Sequence, residues 1–520
     1  MASPEDRLSD LPDGVLGHIL SFLPTPEAGR AAVLSSRWRH VFAFVDTISF
    51  EQPKERASSA CSSCYYSEAD ERSSLNSPFL NRVGAALLCR RLHGGGVDPP
   101  LRALRVAFHH YHEWDSVMVD RWLACATQHG GQRLHHLDLR FRRVHDFYHR
   151  STEPDERLYC KVIDSSDEED LEARELPNFI CSDSDSSDFD DDDDDYEEPK
   201  RHWGEYIVPR RLFSCTTLRT LCLGPCQLDL PAAISLPSVE TLLLTSAVNS
   251  DKDINRLISG LPRLVDLTLE ECNFVRAISV LDRKLRSLAL RCCHKLVRVA
   301  VDASDLRAFE YSGAVPAPSL LALHGGARKL SSCKIRLCGK ELSMMGQFVW
   351  LRKLLKGFVG TRYLHLRSAR LGAGVENAMF RQFPAFSSLR HLELTGRLQE
   401  DTVVDAMIRI LEQTPILELL SMSIVPHGYR KDDTNQPANM VPITGHVSIP
   451  CLRDRVREIS IVHYQGSYAQ RVLVKFMLCN AMVLDKFCCE ISKDPLQPQS
   501  EMMKEIKSWA VSKSAKIIFL

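Results

Sequence analysis

A spaced apolar triplet, L-x-x-L-x-L, returns along most of this chain, and no other feature restricts its fold so strongly. The clearest copies are Leu218/Leu221/Leu223, Val239/Leu242/Leu244, Leu264/Leu267/Leu269 and Leu285/Leu288/Leu290, whose first positions lie 21, 25 and 21 residues apart. Alternation over the last positions of each triplet puts its apolar side chains on one face of a short strand and the intervening residues on the other. One such unit cannot bury its apolar face alone, so copies must stack side by side, giving a continuous core and an exposed strand face.

Periods of 20 to 29 residues are those of leucine-rich repeats. Three of the copies continue to Cys226, Cys272 and Cys293, three residues past the last leucine, where such repeats place an Asn or Cys to bond the turning backbone. Earlier copies stand at Leu101/Leu104/Val106 and Leu134/Leu137/Leu139. Looser ones follow at Leu306/Phe309/Tyr311, Leu364/Leu366, Leu389/Leu392/Leu394, Leu417/Leu420/Met422 and Val456/Ile459/Ile461. The longer spacers predict added helices, as over 401–413. A polar loop is expected over 427–442, then helices near 468–480 and 500–512 and a closing strand at 516–520.

Between Asp164 and Glu198 the chain holds eighteen acidic residues against the single Arg174, a net of −17 that leaves about +15 for the rest of a protein whose formal charge is −2. So few apolar side chains cannot offset ordering entropy, and the stretch reads as a disordered insert that interrupts the repeat array. Ser165, Ser166, Ser182, Ser184, Ser186 and Ser187 stand among these acids, a context open to acidophilic kinases or to no modification at all. The charged N-terminus and the lack of any apolar run long enough to span a bilayer predict an intracellular protein with no membrane contact, in the nucleus and/or cytoplasm. The 18 cysteines are spread over 520 residues and mostly sit in apolar stretches, so reduced, buried thiols are expected.

The N-terminus follows a different pattern. Leu8, Leu11, Val15, Ile19 and Phe22 step by three or four, the spacing of one helix face, with Pro12 in a first turn that Asp10 could cap. Leu16, Leu20 and Leu23 add a second apolar side, more than a small module needs for its own core. Pro24-Thr25-Pro26 stops this helix. A second runs through Val33-Leu34, and Ser36 can cap a third carrying Arg37, Trp38, Val41 and Phe42. Three helices in about 40 residues are too few for a self-sufficient core, which points to a docking partner.

The stretch DRLSDLPDGVLGHILSFLPTPEAGRAAVLSSRWRHVF resembles the plant F-box motif nearly position for position. DRWLACATQHGGQRLHHLDLRF and the C-terminal CLRDRVREISIVHYQG, LVKFMLCNAMVLDKF and EIKSWAVSKSAKIIF are similar to the F-box, repeat and FBD-type proteins of plants, grasses especially. The fold expected is α/β: a three-helix F-box followed by a horseshoe-like leucine-rich-repeat solenoid of parallel strands. Its parts are an F-box at 1–46, a linker and helix at 47–100, first repeats at 101–163, the acidic insert at 164–200, the solenoid at 201–426, a polar loop at 427–447 and an FBD-like region closing the solenoid at 448–520.

The resemblance implies a non-catalytic substrate-recognition subunit of an SKP-cullin-F-box (SCF) ubiquitin ligase: the F-box docks an SKP-type adaptor and through it a cullin, and the repeats bind an unidentified protein substrate. It further implies that Leu8, Leu11, Pro12, Val15, Ile19, Leu20, Phe22, Leu23, Pro24, Val33, Leu34 and Trp38 form the adaptor contact or the core directly beneath it, two roles the residues themselves leave undivided. Gly14 stands where the family usually has Glu or another helix former, and Gly29 where Ala is common; each costs about 1 kcal/mol of helix stability. The alternative is a non-degradative repeat protein whose F-box serves assembly alone or is vestigial.

Sharper chemistry finds little support. Cys61 and Cys64 lack the second ligand pair that a zinc site needs. His109, His110, His112, His135 and His136 fall largely on neighbouring strand positions that face opposite sides. No phosphate loop, nucleophile elbow or H-E-x-x-H helix occurs, so no catalytic residue, cofactor or metal is expected, and no nucleic-acid partner.

Overall fold

In a computed structural model the described residues are 10–52, 69–93, 101–108, 111–127, 133–141, 205–337, 345–371, 383–398, 403–424, 449–493 and 495–520. The acidic insert, Leu8, Cys61, Cys64, His109, His110 and the polar loop at 427–442 lie outside them.

Three helices open the chain: α1 (Asp13–Leu20), α2 (Thr25–Leu34) and α3 (Ser36–Phe42). Longer helices follow, α4 (Ala69–His93) and α5 (Ser116–Ala126). Strands begin with β1 (Thr47–Glu51), β2 (Ala103–Phe108), β3 (His136–Phe141), β4 (Tyr206–Val208), β5 (Thr220–Gly224), β6 (Cys226–Leu228), β7 (Thr241–Thr245), β8 (Asp266–Glu270), β9 (Ala277–Lys284) and β10 (Ser287–Arg291). They continue with β11 (Arg298–Asp302), β12 (Ala308–Gly313), β13 (Leu321–His324), β14 (Ser332–Leu337), β15 (Tyr363–Leu371), β16 (His391–Leu398), β17 (Leu419–Ile424), β18 (Glu458–Tyr464), β19 (Lys486–Ile491) and β20 (Lys516–Phe519).

Fifteen of these strands form one sheet in the order β1-β2-β3-β5-β7-β8-β10-β12-β14-β15-β16-β17-β18-β19-β20. The pairs are parallel, as a solenoid of stacked repeats requires, and the register follows the triplets: Leu221, Leu242, Leu267 and Leu288 stand in one row, Leu223, Leu244, Leu269 and Leu290 in the next. All eight are buried. At about 1.5–3 kcal/mol for each buried leucine, this double row is the main stabilising element of the array. A backbone ladder runs beside it: the residue preceding each strand donates to the carbonyl of its counterpart one repeat earlier, as Glu240 N to Arg219 O (2.8 Å) and Arg307 N to Arg286 O (2.8 Å).

The turn after each strand has its own chemistry. Ser246, Glu271 and Cys292, each the first residue past β7, β8 and β10, adopt φ of 48°, 55° and 53°. This left-handed step is unusual for residues with a Cβ. The next residue reinforces it: Cys272 Sγ donates to Leu244 O (3.6 Å) and Glu270 O (3.5 Å), and Cys293 Sγ to Leu269 O and Arg291 O, both 3.5 Å. Two of the three cysteines expected to bond the turning backbone therefore do so; Cys226 is buried and bridges Ala247 through its main chain.

Some of the layout differs from the sequence expectation. The stretch at 47–100 read as linker and helix opens with β1, paired parallel to β2 from Thr47↔Ala103 to Glu51↔Ala107, so the sheet starts before the first leucine triplet. A second small sheet, β13-β11-β9, and the pair β4-β6 were not foreseen either. The expected helices lie at Val403–Glu412, Tyr468–Asn480 and Gln499–Trp509, and β20 is the expected closing strand. The C-terminal segment continues the same sheet through β18, β19 and β20.

Candidate protein-docking surface

The three N-terminal helices close a small core from inside. Leu16 and Leu20 of α1, Ala28 of α2, and Val41 and Phe42 of α3 are buried. Gly17 lies so close to Phe44 that a Cβ there would sit 2.5 Å from the Phe44 Cβ, which fixes the approach of α1. Ser35, one residue before the expected Ser36, caps α3 by accepting from Trp38 N at 3.3 Å, and Pro12 rather than Asp10 stands at the α1 cap. Arg37 ties α3 back to the start of α1, donating to Leu11 O (2.7 Å) and Asp13 Oδ1 (3.2 Å).

The module is fastened to the edge of the long sheet. Thr25 Oγ1, buried, accepts from Ser49 N of β1 at 2.7 Å, and Ser21 Oγ accepts from Asp46 N at 2.9 Å. Arg90 of α4 donates to Val45 O. The Ser49 donor on the edge of β1 and the main chain leading into that strand are in this way satisfied from the helices, which act as a cap on the array.

The structure now divides the residues that sequence left in one group. Leu20 belongs to the core, together with Leu16, which was not among the site candidates. Leu11 and Trp38 are half-buried, while Pro12, Val15, Ile19, Leu23 and Pro24 are exposed. Phe22 is 77% exposed, Val33 82% and Leu34 77%. The two apolar sides of α1 thus have different roles: Leu16 and Leu20 face inward, Val15 and Ile19 outward, and the outward side continues through Phe22 and Leu23. Apolar side chains this open on a small module make this face a candidate for protein docking. A Cβ added at Gly14 or at Gly29 would meet nothing within 4 Å, so neither position requires glycine.

The exposed face of the sheet is of opposite character. Its centre holds Arg291 of β10, Glu310 of β12, Lys334 and Arg336 of β14, Tyr363, His365 and Arg367 of β15, and Glu393 of β16. Glu310 accepts from Arg291 at 2.9 and 3.0 Å and also pairs with Arg336. Glu393 accepts from Tyr363 Oη and lies 3.7 Å from His365 Nε2. Burial lowers the His365 pKa, and Arg336, Lys334 and Arg367 add to this against the pull of Glu393. Burial, then Arg291 and Arg367, likewise lowers that of Arg336. Sequence reading passed over this cluster because the β14 repeat lacks the leucine triplet that would have aligned it.

Among the described residues no group of three His, Cys, Asp or Glu is placed to hold a metal ion. His112 stacks on Trp114 at 4.6 Å, and His136 bonds Thr220 at 3.0 Å. Cys222, on the strand face, has its thiol pushed up to about 12, chiefly by burial and then by Asp138, so it is no nucleophile at neutral pH. No described helix is long and apolar enough to cross a membrane.

Comparison with known proteins gives these two regions names. The F-box domain matches residues 8–47, and the repeats of the FBD-associated F-box protein At5g56370 match residues 197–320. The F-box/LRR-repeat protein At2g42730 of Arabidopsis thaliana is 25% identical over 516 residues, 96% of this chain and 94% of that protein. F-box protein At4g27050 of the same plant is 33% identical over 130 residues, 24% of this chain and 26% of its own. F-box/LRR-repeat protein At3g59200, also from Arabidopsis thaliana, is 54% identical over 46 residues, 9% of each chain. The chain thus carries an F-box domain and leucine-rich repeats that match the FBD-associated type, and along nearly its whole length it is similar to a plant F-box/LRR-repeat protein.

Proposed function

We propose that this chain is the substrate-recognition subunit of an SKP-cullin-F-box ubiquitin ligase, acting in the nucleus and/or cytoplasm. F-box domains typically bind SKP-type adaptors. The observation that carries the reading is the apolar surface formed by Val15, Ile19, Phe22, Leu23, Val33 and Leu34 on a module whose own core is already closed by Leu16, Leu20, Ala28, Val41 and Phe42. Covering it with an adaptor removes from water side chains worth roughly 1.5–3 kcal/mol each when fully buried. The repeats hold the protein substrate on the strand face, and transfer of ubiquitin to a substrate lysine is hastened by raised effective concentration while the catalytic groups belong to other subunits.

Fastening of the helices to β1 gives this scaffold its geometry, since adaptor and substrate are then held at a fixed offset. The test is co-purification of the tagged chain with an SKP-type adaptor and cullin, beside the Leu11→Ala/Pro12→Ala variant. Recovery by the wild type and its loss in the variant is the expected result. No recovery by the wild type would leave a repeat protein that binds its partner without a ligase.

A further inference from the structure

The exposed strand face is not uniformly charged. Across the four neighbouring strands β10, β12, β14 and β15, and the residue preceding each, the outward positions present Arg286, Arg291, Arg307, Lys334, Arg336, Arg362 and Arg367. Glu310 is the one carboxylate in the same outward positions. On either side the excess of cations ends: Asp266 and Glu270 occupy β8, while on or just before β16, β17 and β18 Glu393, Glu418 and Glu458 stand with Arg390 and Arg457, Arg390 pairing with Glu418 and Lys486 with Glu458. Arg307, Lys334, Arg362 and Arg367 form no ion pair among the described residues, and the buried Nε of Arg336 has no hydrogen-bond partner. A patch with this excess of cations, bounded by acids on β8 and by paired charges from β16 onward, fits an anion of limited length.

We propose that this face is the receptor for a short, extended acidic segment of the protein partner, whose carboxylates or phosphates bridge the cations from Arg291 to Arg367. The proposal rests on the reading that the strand face receives the substrate, and adds its chemical class. Adjacent strands lie about 4.8 Å apart, so the four span about 14 Å, the length of four or five extended residues at about 3.3 Å each. Guanidinium groups suit this ligand because each offers a planar fork to a carboxylate or phosphate. The acids of β8 repel an anion that extends past β10, and the paired charges of β16 to β18 offer it little net attraction, which together set the register.

The experiment is fluorescence anisotropy on the full chain. Three labelled ten-residue peptides serve as probes: alternating serine and glutamate, the same peptide with its serines phosphorylated, and alternating serine and glutamine. A 20-base-pair DNA duplex is the fourth. Both acidic peptides are expected to bind, more weakly as salt rises, and Arg336→Gln/Arg367→Gln to weaken them at least tenfold. The same charge change on exposed helical positions, Lys252→Gln/Lys504→Gln, leaves their binding within twofold. Tighter binding of the phosphorylated peptide assigns phosphate as the natural group, and equal binding assigns carboxylate. Should the first variant fail to fold, Arg307→Gln/Arg362→Gln, both exposed, gives the same reading. Equal binding of the glutamine peptide, no effect of the arginine variants, or tighter binding of DNA would overturn the proposal. An adaptor that still co-purifies while no acidic peptide binds would overturn it alone and leave the receptor reading standing.

Discussion

The N-terminal helices and the strand array hide and expose opposite things. In the array every repeat turns its apolar pair inward, leaving serines, threonines, arginines and glutamates on the open face. In the helical module the core takes Leu16 and Leu20, and comparable apolar side chains, Phe22, Val33 and Leu34, stay in solvent. The first arrangement is complete as it stands. The second has a closed core and an apolar surface left over, and exposed phenylalanine and leucine gain free energy mainly by meeting another apolar surface. On the proposed reading, one end of the molecule meets a constant partner by burial and the other a selected partner by charge and hydrogen bonding.

The sharpest way to break this contrast is to charge the exposed apolar side. Val33→Asp/Leu34→Asp should reduce adaptor affinity at least hundredfold, since interface anchors commonly contribute 2 kcal/mol or more each. The same variant should leave the thermal midpoint within about 2 °C, because open positions tolerate change within about 0.5 kcal/mol. Calorimetry and a melting curve on one preparation check both halves. Truncating the inward side reverses the pattern: Leu20→Ala should cost about 2–5 kcal/mol of stability, read by chemical denaturation, and weaken adaptor binding only through unfolding. A smaller effect is expected where the two regions join. Thr25→Val deprives the Ser49 amide of its acceptor and should cost about 1–3 kcal/mol, with faster amide exchange at β1. The smallest has the opposite sign: Gly14→Ala, at an exposed helical site with open space around it, should stabilise α1 by up to about 1 kcal/mol, seen as a higher midpoint.

The array was legible in the sequence because its repeat is written largely in leucine, and every triplet named there lies in register in the sheet. The three strands that escaped notice obey the same spacing with other residues: Val45/Ile48/Phe50 for β1, Leu330/Cys333/Ile335 for β14 and Leu484/Phe487/Cys489 for β19, all buried. What matters physically is an apolar side chain of sufficient size at each position, so a search by size and polarity rather than for leucine would have found them. The small sheet of β9, β11 and β13 was hidden for another reason. It arises from segments between triplets, where the pattern varies from repeat to repeat.

The candidate docking residues could be named as a set of helical positions, but their division between core and surface could not be read. Helical spacing shows which residues share a face; it does not show which face meets Phe44 and α3 and which meets water. Close approach of Gly17 to Phe44 decides that for α1. The cationic centre of the strand face stayed invisible because it is assembled from four repeats, with one or two cations in each, and only the register brings Arg291, Arg336 and Arg367 to the same level.

Titration calorimetry of the purified chain with a purified SKP-type adaptor, at several temperatures, tests the central claim most directly. The account predicts a one-to-one complex whose enthalpy becomes more negative with temperature, the mark of apolar burial, and loss of that signal in Val33→Asp/Leu34→Asp. Absence of binding, or binding unchanged by that substitution, would contradict it.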